Sequence, residues 1–261
     1  MNLGELVTHS PILTQICKNL TFKEAFKLWI CLNQKDLICE FSVTDKHRRT
    51  LVLPGITQLT VQIYKLIPKF GINHGFLDCA KKNQIQLISF FLDRGIDVNF
   101  TNSENFSALI IAAKNGYTDL VKILLDHKAD VNAMDKYHWT ALFHATLGKH
   151  YSTVKLLLDQ KANVNAVSKP KFSPLMLSSV NGNIELVQLL CEYQANVNLK
   201  NSEKDTALIL AARQGHFNIV NLLIEKGADI HVINNDGKTA LIGASEKGHY
   251  QIVYLLRDLG S

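Results

Sequence analysis

No stretch of the 261 residues approaches the roughly 18 uninterrupted apolar side chains that a membrane-spanning helix needs, so no membrane span is expected. Residues Met1 to Cys17 lack a basic start, an apolar block and a small-residue cleavage site, and no secretory signal is read there. Cysteine is sparse and odd in number, with Cys17, Cys31, Cys39, Cys79 and Cys191 forming no CxxC pair. That excludes a disulfide framework and points to a reducing compartment, the cytoplasm. Also missing are GxxxxGK[ST], GxGxxG, GxSxG and HExxH. Phosphate cradling, the common nucleophile arrangements and zinc proteolysis thus lack support, and neither cofactor, metal nor catalytic residue is expected.

A basic stripe is absent too. The net charge is +5, from 28 Lys and Arg against 23 Asp and Glu, but residues 1–71 hold nine and five of these. The remaining nineteen and eighteen nearly cancel, which argues against nucleic acid as the partner, because its binding rests on clustered phosphate-neutralising charge. Lys46-His47-Arg48-Arg49 reads as solvated surface. With 47% apolar and 20% charged residues, the chain has the makings of an ordinary buried core.

What is present is periodicity. Ile96-Asp97-Val98-Asn99 recurs as Ala129-Asp130-Val131-Asn132, Ala162-Asn163-Val164-Asn165, Ala195-Asn196-Val197-Asn198 and Ala228-Asp229-Ile230-His231, each step 33 residues long. A second ladder keeps that step at Ser107-Ala108-Leu109, Thr140-Ala141-Leu142, Ser173-Pro174-Leu175, Thr206-Ala207-Leu208 and Thr239-Ala240-Leu241. A third runs through Leu120-Val121, Thr153-Val154, Leu186-Val187, Ile219-Val220 and Ile252-Val253.

Each unit reads as helix, turn, helix and extended finger. In residues 107–125, Ser107 caps the first helix by accepting a backbone N–H. Leu109, Ala112 and Ala113 form its apolar stripe, and the small Ala residues admit close neighbours. Gly116 ends it in a left-handed conformation. Leu120, Val121, Leu124 and Leu125 form the buried face of a second helix, and the Asp-Val-Asn run then bonds its own turn backbone.

These three ladders resemble the ankyrin repeat over residues 74–261, with five clear units and a degenerate first one beginning at Phe76-Leu77-Asp78-Cys79-Ala80. The resemblance implies an all-α solenoid of six helix pairs with β-turn fingers. Its units fall at about 74–100, 104–133, 137–166, 170–199, 203–232 and 236–261, in a repeat domain spanning 72–261. The family's His after Thr-Pro-Leu is replaced by Ile110, Phe143, Met176, Ile209 and Ile242, so apolar burial is expected there. The Gly that follows the second helix is kept at Gly95, Gly227 and Gly260 but is Lys128, Lys161 and Gln194 in the middle units, where positive φ is expected. His150, His216 and His249 occupy a structural Gly-His slot, and His231 replaces a turn Asn. Asn99, Asn132, Asn165 and Asn198 match the position that asparaginyl hydroxylases modify in such proteins.

A solenoid must hide the apolar flanks of its terminal units. Arg257 stands where Ile224 stood one repeat earlier, which reads as a polar C-terminal cap. Residues 1–71 fall outside the period and read as a helical N-terminal cap. Within them Pro11, Ile12, Ile16, Leu20 and Phe22 resemble the opening of an F-box, and Val43 to Leu51 loosely resembles its close, with His47 for the usual Trp and Ala25 for a Leu. That resemblance implies docking to a Skp-type adaptor and service as a substrate receptor of a cullin-type ubiquitin ligase.

Ankyrin proteins bind through the fingers and the exposed side of the first helices. Carried over by position, the candidate partner-binding residues are Phe106, Trp139 and Phe172, in register just before the caps, with Tyr137 beside Trp139. Large rings on solvent-facing turns are interface material. Lys114, Asn115, Leu147, Val180, Arg213, Gln214 and Glu246 extend this surface along the helices. The expected function is a monomeric protein-binding adaptor rather than an enzyme; a catalytic N-terminal segment is the alternative. Ankyrin proteins of low-GC intracellular bacteria and large viruses act on host targets, and the Lys-rich, Arg-poor composition fits such an effector in host cytoplasm.

Overall fold

The computed structural model describes residues 40–44, 50–54, 72–93 and 95–260. The chain falls into two compact units, Met1–Gly75 and Phe76–Ser261.

In the first unit residues 40–44 and 50–54 form an antiparallel hairpin, and residues 72–75 begin a helix that continues into the second. β1 (Glu40–Thr44) pairs with β2 (Thr50–Pro54), Glu40 opposite Pro54 and Thr44 opposite Thr50. Val43, Thr44, Thr50 and Val52 are β-branched and suit a pleated surface better than a helix. The helical expectation for residues 1–71 is therefore corrected at this point. The stretch from Val43 to Leu51, which resembles the closing F-box motif, has extended backbone at both ends.

The second unit is built of six helix pairs: α1 (Ile72–Lys81) with α2 (Ile85–Leu92), α3 (Ala108–Lys114) with α4 (Thr118–Asp126), and α5 (Ala141–Leu147) with α6 (Tyr151–Asp159). Three more follow: α7 (Pro174–Val180) with α8 (Ile184–Glu192), α9 (Ala207–Gln214) with α10 (Phe217–Glu225), and α11 (Ala240–Glu246) with α12 (Tyr250–Gly260). The first helices of successive pairs lie side by side, from α3 through α11. Ala112, Ala145, Ala211 and Ala244 are fully buried between them, so small side chains set the close spacing.

The caps form as the sequence dictates. Ser107, Thr140, Ser173, Thr206 and Thr239 each accept the backbone N–H three residues on, at 3.2 to 3.3 Å. Such caps contribute about 1 kcal/mol each. Ile110, Phe143, Met176 and Ile209 are buried where the family places its His. Ile242 departs from that expectation at 41% exposed, on the outer side of the last described pair.

Left-handed residues recur with the same period. After the second helix stand Lys128, Lys161 and Gln194 at φ 66°, 64° and 62°, as expected from the sequence. Gly260, assigned to that slot, is instead the last residue of α12. A further series lies in the fingers, at Asn105, His138, Lys171, Lys204 and Gly237. Each left-handed non-glycine residue costs about 1 kcal/mol relative to Gly.

Two hydrogen-bond ladders join the units. Asn99, Asn132, Asn165 and Asn198 accept through Oδ1 the backbone N–H of Asp130, Asn163, Asn196 and Asp229, at 2.8 to 2.9 Å. His150, His216 and His249 donate Nε2–H to the carbonyls of Lys114, Val180 and Arg213 at 3.2, 3.0 and 3.2 Å. Their rings lie so close to Gly116, Gly182 and Gly215 that an added Cβ would sit 2.5 to 2.6 Å away. Repeat three carries Lys149 in that glycine slot, at φ 57°, and the matching position of the next repeat is Asn183 rather than His. The two exceptions belong together.

At the C-terminal end Arg257 is exposed, as a polar cap requires, but Ile233, Tyr254 and Leu259 are exposed as well, at 56%, 64% and 50%. The polar cap holds at Arg257 and not at these neighbours.

Candidate protein-binding face

Each finger is shaped by one polar side chain that gathers the backbone ahead of it. Asn102 Oδ1 accepts the N–H groups of Glu104 and Phe106 at 2.9 and 3.0 Å. Asp135 Oδ1 accepts those of Tyr137 and Trp139 at 2.8 and 2.9 Å, and Asn201 and Asn234 repeat the pattern. Ser168, with a shorter reach, holds only the Phe172 N–H, at 3.1 Å. Neighbouring fingers are tied to one another: the N–H groups of Lys136, Lys169, Ser202 and Asn235 donate to the carbonyls of Glu104, Tyr137, Pro170 and Glu203 at 2.9 to 3.1 Å. The fingers thus form a continuous edge with fixed register.

The centre of that edge is a buried pair. Asp135 is 2% and His144 3% exposed, with His144 Nε2 2.9 Å from Asp135 Oδ2. A carboxylate only accepts, so Nε2 carries the proton, and Nδ1 of the neutral ring is left a buried acceptor without a partner among the described residues. Burial holds His144 below the usual 6.5 despite the opposing pull of the Asp135 carboxylate. Its ring lies between Phe106 and Trp139, with centroids 5.4 and 5.3 Å away, and Trp139 also rests 4.9 Å from Phe143.

The finger rings, read from the sequence as interface material on solvent-facing turns, also take part in the repeat's own packing. Phe106, Trp139 and Phe172 are half-buried, and Phe106 and Trp139 clamp His144. Tyr137 remains the projecting ring, 51% exposed and 6.1 Å from Trp139.

The helix-side candidates meet the fingers in a regular way. The finger residue and the helix residue eight positions on are Phe106 with Lys114, Trp139 with Leu147, Phe172 with Val180, Asp205 with Arg213 and Lys238 with Glu246. Lys114 Nζ lies 5.4 Å from the Phe106 ring centre. Leu147 is 43% exposed. Asn115 donates its side-chain amide to the Ile111 carbonyl at 2.8 Å and so finishes its own helix, while Gln214 is exposed. Arg213 is committed to the buried Asp205, and Lys238 bonds Glu246 at 2.7 Å. The edge therefore changes character along its length, from aromatic in repeats two to four to internally ion-paired in five and six.

Sequence reasoning missed the Asp135–His144 pair. A signal was there: His144 stands alone among Ile111, Leu177 and Leu210, its apolar equivalents one repeat apart. His138 does not join it, being exposed and left-handed in the finger. Among the described residues no group of three or more His, Cys, Asp or Glu is placed to hold a metal ion, and no helix is long and apolar enough to cross a membrane. A surface depression lined by Tyr151, Glu185, Gln188, Leu189 and Glu192 lies on the second helices, apart from the finger edge. The adaptor-binding candidates Pro11, Ile12, Ile16, Leu20 and Phe22 lie outside the described residues.

Comparison with known proteins agrees with this architecture. The family described as Ankyrin repeats (3 copies) matches residues 76–168, 154–234 and 175–261. No curated protein matches the chain. With most of its length covered by that family, the chain belongs to the ankyrin-repeat proteins, whose fold is a non-catalytic scaffold for protein–protein interaction.

Proposed function

We propose that the finger edge of repeats two to four is where this ankyrin protein grips its partner, with Tyr137, Trp139, Phe106, Phe172 and Leu147 as the contact residues. One observation carries this: at the finger position where repeats five and six close an ion pair on themselves, repeats two to four present the rings of Phe106, Trp139 and Phe172, with Lys114, Leu147 and Val180 on the helix side. Tyr137 and Leu147 stay 51% and 43% exposed beside the half-buried Trp139. Buried aromatic anchors with exposed apolar neighbours dominate binding energy at interfaces. Clamping by His144 gives Trp139 a fixed orientation, so little side-chain entropy is lost when a partner arrives.

The test uses exposed positions, so that folding is not at stake. Tyr137→Ala with Leu147→Ala in the full chain is expected to remove the partners captured by wild type, as read by mass spectrometry. Tyr250→Ala with Tyr254→Ala, on two equally prominent rings of α12, is expected to keep them. The opposite pattern removes the finger edge from the account.

A substrate receptor of a cullin-type ubiquitin ligase is the second reading, supported by the Pro11 to Phe22 resemblance and opposed by the hairpin at Glu40–Pro54. Co-purification with a Skp-type adaptor, lost on Pro11→Ala with Leu20→Ala, is its expected signature; no adaptor at near-stoichiometric yield contradicts it.

A further inference from the structure

The near-neutral sum of the repeat region conceals a segregation of charge. The fingers of repeats three to five carry Lys136, Lys169, Lys171, Lys200 and Lys204, while the exposed acids beside them at the tips are Glu104 and Glu203, Asp135 and Asp205 being buried against His144 and Arg213. Glu104 is already bonded to Lys136. Lys169, Lys171, Lys200 and Lys204 are exposed and make no ion pair among the described residues. Two of the second helices run the other way: α8 bears Glu185 and Glu192 with no base, and α10 bears Glu225 with none. The unneutralised cations thus lie on the same edge as Tyr137 and Trp139, and on the side of the aromatic cluster that leads into repeats four and five.

We propose that the finger edge takes an extended, acidic segment of its partner protein, seating apolar side chains on Tyr137 and Trp139 and carboxylates on Lys169, Lys171 and Lys204. This rests on the preceding assignment of the edge as the binding face and specifies the chemistry of what it binds. Charge complementarity selects the acidic partner and speeds the encounter. Geometry selects the extended form. Packed neighbouring helices lie roughly 8–10 Å apart, and an extended chain advances about 3.3 Å per residue. One finger step therefore corresponds to about three residues of the partner, and some ten residues span repeats two to five. Aromatic and basic groups together also suit single-stranded nucleic acid, but Phe106 and Trp139 are engaged with His144 and Phe172 is half-buried, which leaves Tyr137 projecting rather than a series of stacking platforms.

The test is fluorescence anisotropy on the full chain with four labelled probes. These are a decapeptide alternating Leu with Asp and Glu, the same peptide with Asn and Gln, the same with Lys, and a ten-nucleotide oligothymidylate. The acidic peptide is expected to bind best and to weaken about tenfold on Lys169→Glu with Lys171→Glu, and again as salt is raised. Lys122→Glu with Lys155→Glu, an equal change of net charge on exposed residues of α4 and α6, is expected to leave binding intact, which separates a local contact from the overall field. Equal affinity for the Asn and Gln peptide, stronger binding of the oligonucleotide, or no binding of the acidic peptide overturns the proposal. If the neutral peptide binds as well and is lost on Tyr137→Ala, acidity fails while the finger edge survives. If Tyr137→Ala leaves every peptide bound, the edge itself fails.

Discussion

Repeats three and five solve one structural problem in two ways. Both place a buried aspartate at a finger and must satisfy its hydrogen-bonding oxygens. In repeat three Asp135 points inward to His144, and the neutral ring becomes the filling between Phe106 and Trp139. In repeat five Asp205 occupies the position of Trp139 itself and is closed by Arg213 from the helix and by the Asn234 amide at 2.8 Å. The first solution leaves an apolar surface outside; the second leaves a satisfied ion pair. The same fold thus yields a sticky unit or an inert one according to which residue carries the carboxylate.

The largest effects that sharpen this contrast come from removing the two carboxylates. Asp135→Ala strands two finger amides and the buried His144 Nε2–H, and is expected to cost about 3 kcal/mol in urea unfolding. Asp205→Ala frees Arg213, which is a third exposed and reaches water, so about 2 kcal/mol is expected. Equal losses would erase the distinction.

Next in size is the coupling between Lys149 and Asn183. Asn183→His alone brings a ring against the Lys149 Cβ and is expected to destabilise by about 1–2 kcal/mol. Combined with Lys149→Gly, it restores the arrangement seen at Gly116 with His150, and the double variant is expected to recover most of that loss, short of the Asn183 cap on the Leu186 N–H. Additive effects in that cycle contradict the pairing.

Smaller gains are expected from relieving left-handed strain. Lys128→Gly, Lys161→Gly, Gln194→Gly and Lys204→Gly are each expected to raise the unfolding midpoint through a stability gain of up to about 1 kcal/mol. Lowered midpoints for all four would show that these side chains do more for the fold than their backbone costs.

The smallest effect is a pH dependence. His144 in the folded chain takes up a proton at lower pH than in the unfolded chain, so the unfolded state binds it first. Its stabilising contribution is complete above about 6.5 and is lost as pH falls below that value. Stability measured from pH 7.5 to 5 is expected to fall less steeply in His144→Gln than in wild type; an unchanged slope removes His144 as the sensor.

Much of the repeat fold was legible because its signals are local and recur. The caps at Ser107 and Thr140, the stripe at Leu120 and Leu124, and the left-handed Lys128 each follow from a few neighbouring residues, and the 33-residue step multiplies them. The candidate face was legible by position but not in its contacts. That Trp139 leans on His144 depends on packing across the finger and the helix, and that Arg213 is taken by Asp205 depends on a pairing that spacing does not announce. The hairpin at Glu40–Pro54 escaped because its β-branched runs are short and lie among apolar residues that also fit helical spacing.

The central claim is that the finger edge of repeats two to four is the binding face. It is tested most directly by placing a photo-crosslinking amino acid at position 137 and, separately, at position 254, two exposed tyrosines on the finger edge and on α12. Irradiation of the full chain in the cell that makes it is expected to yield a discrete protein adduct from position 137 and none from position 254. Adducts from position 254 alone, or the same adducts from both, would contradict the account.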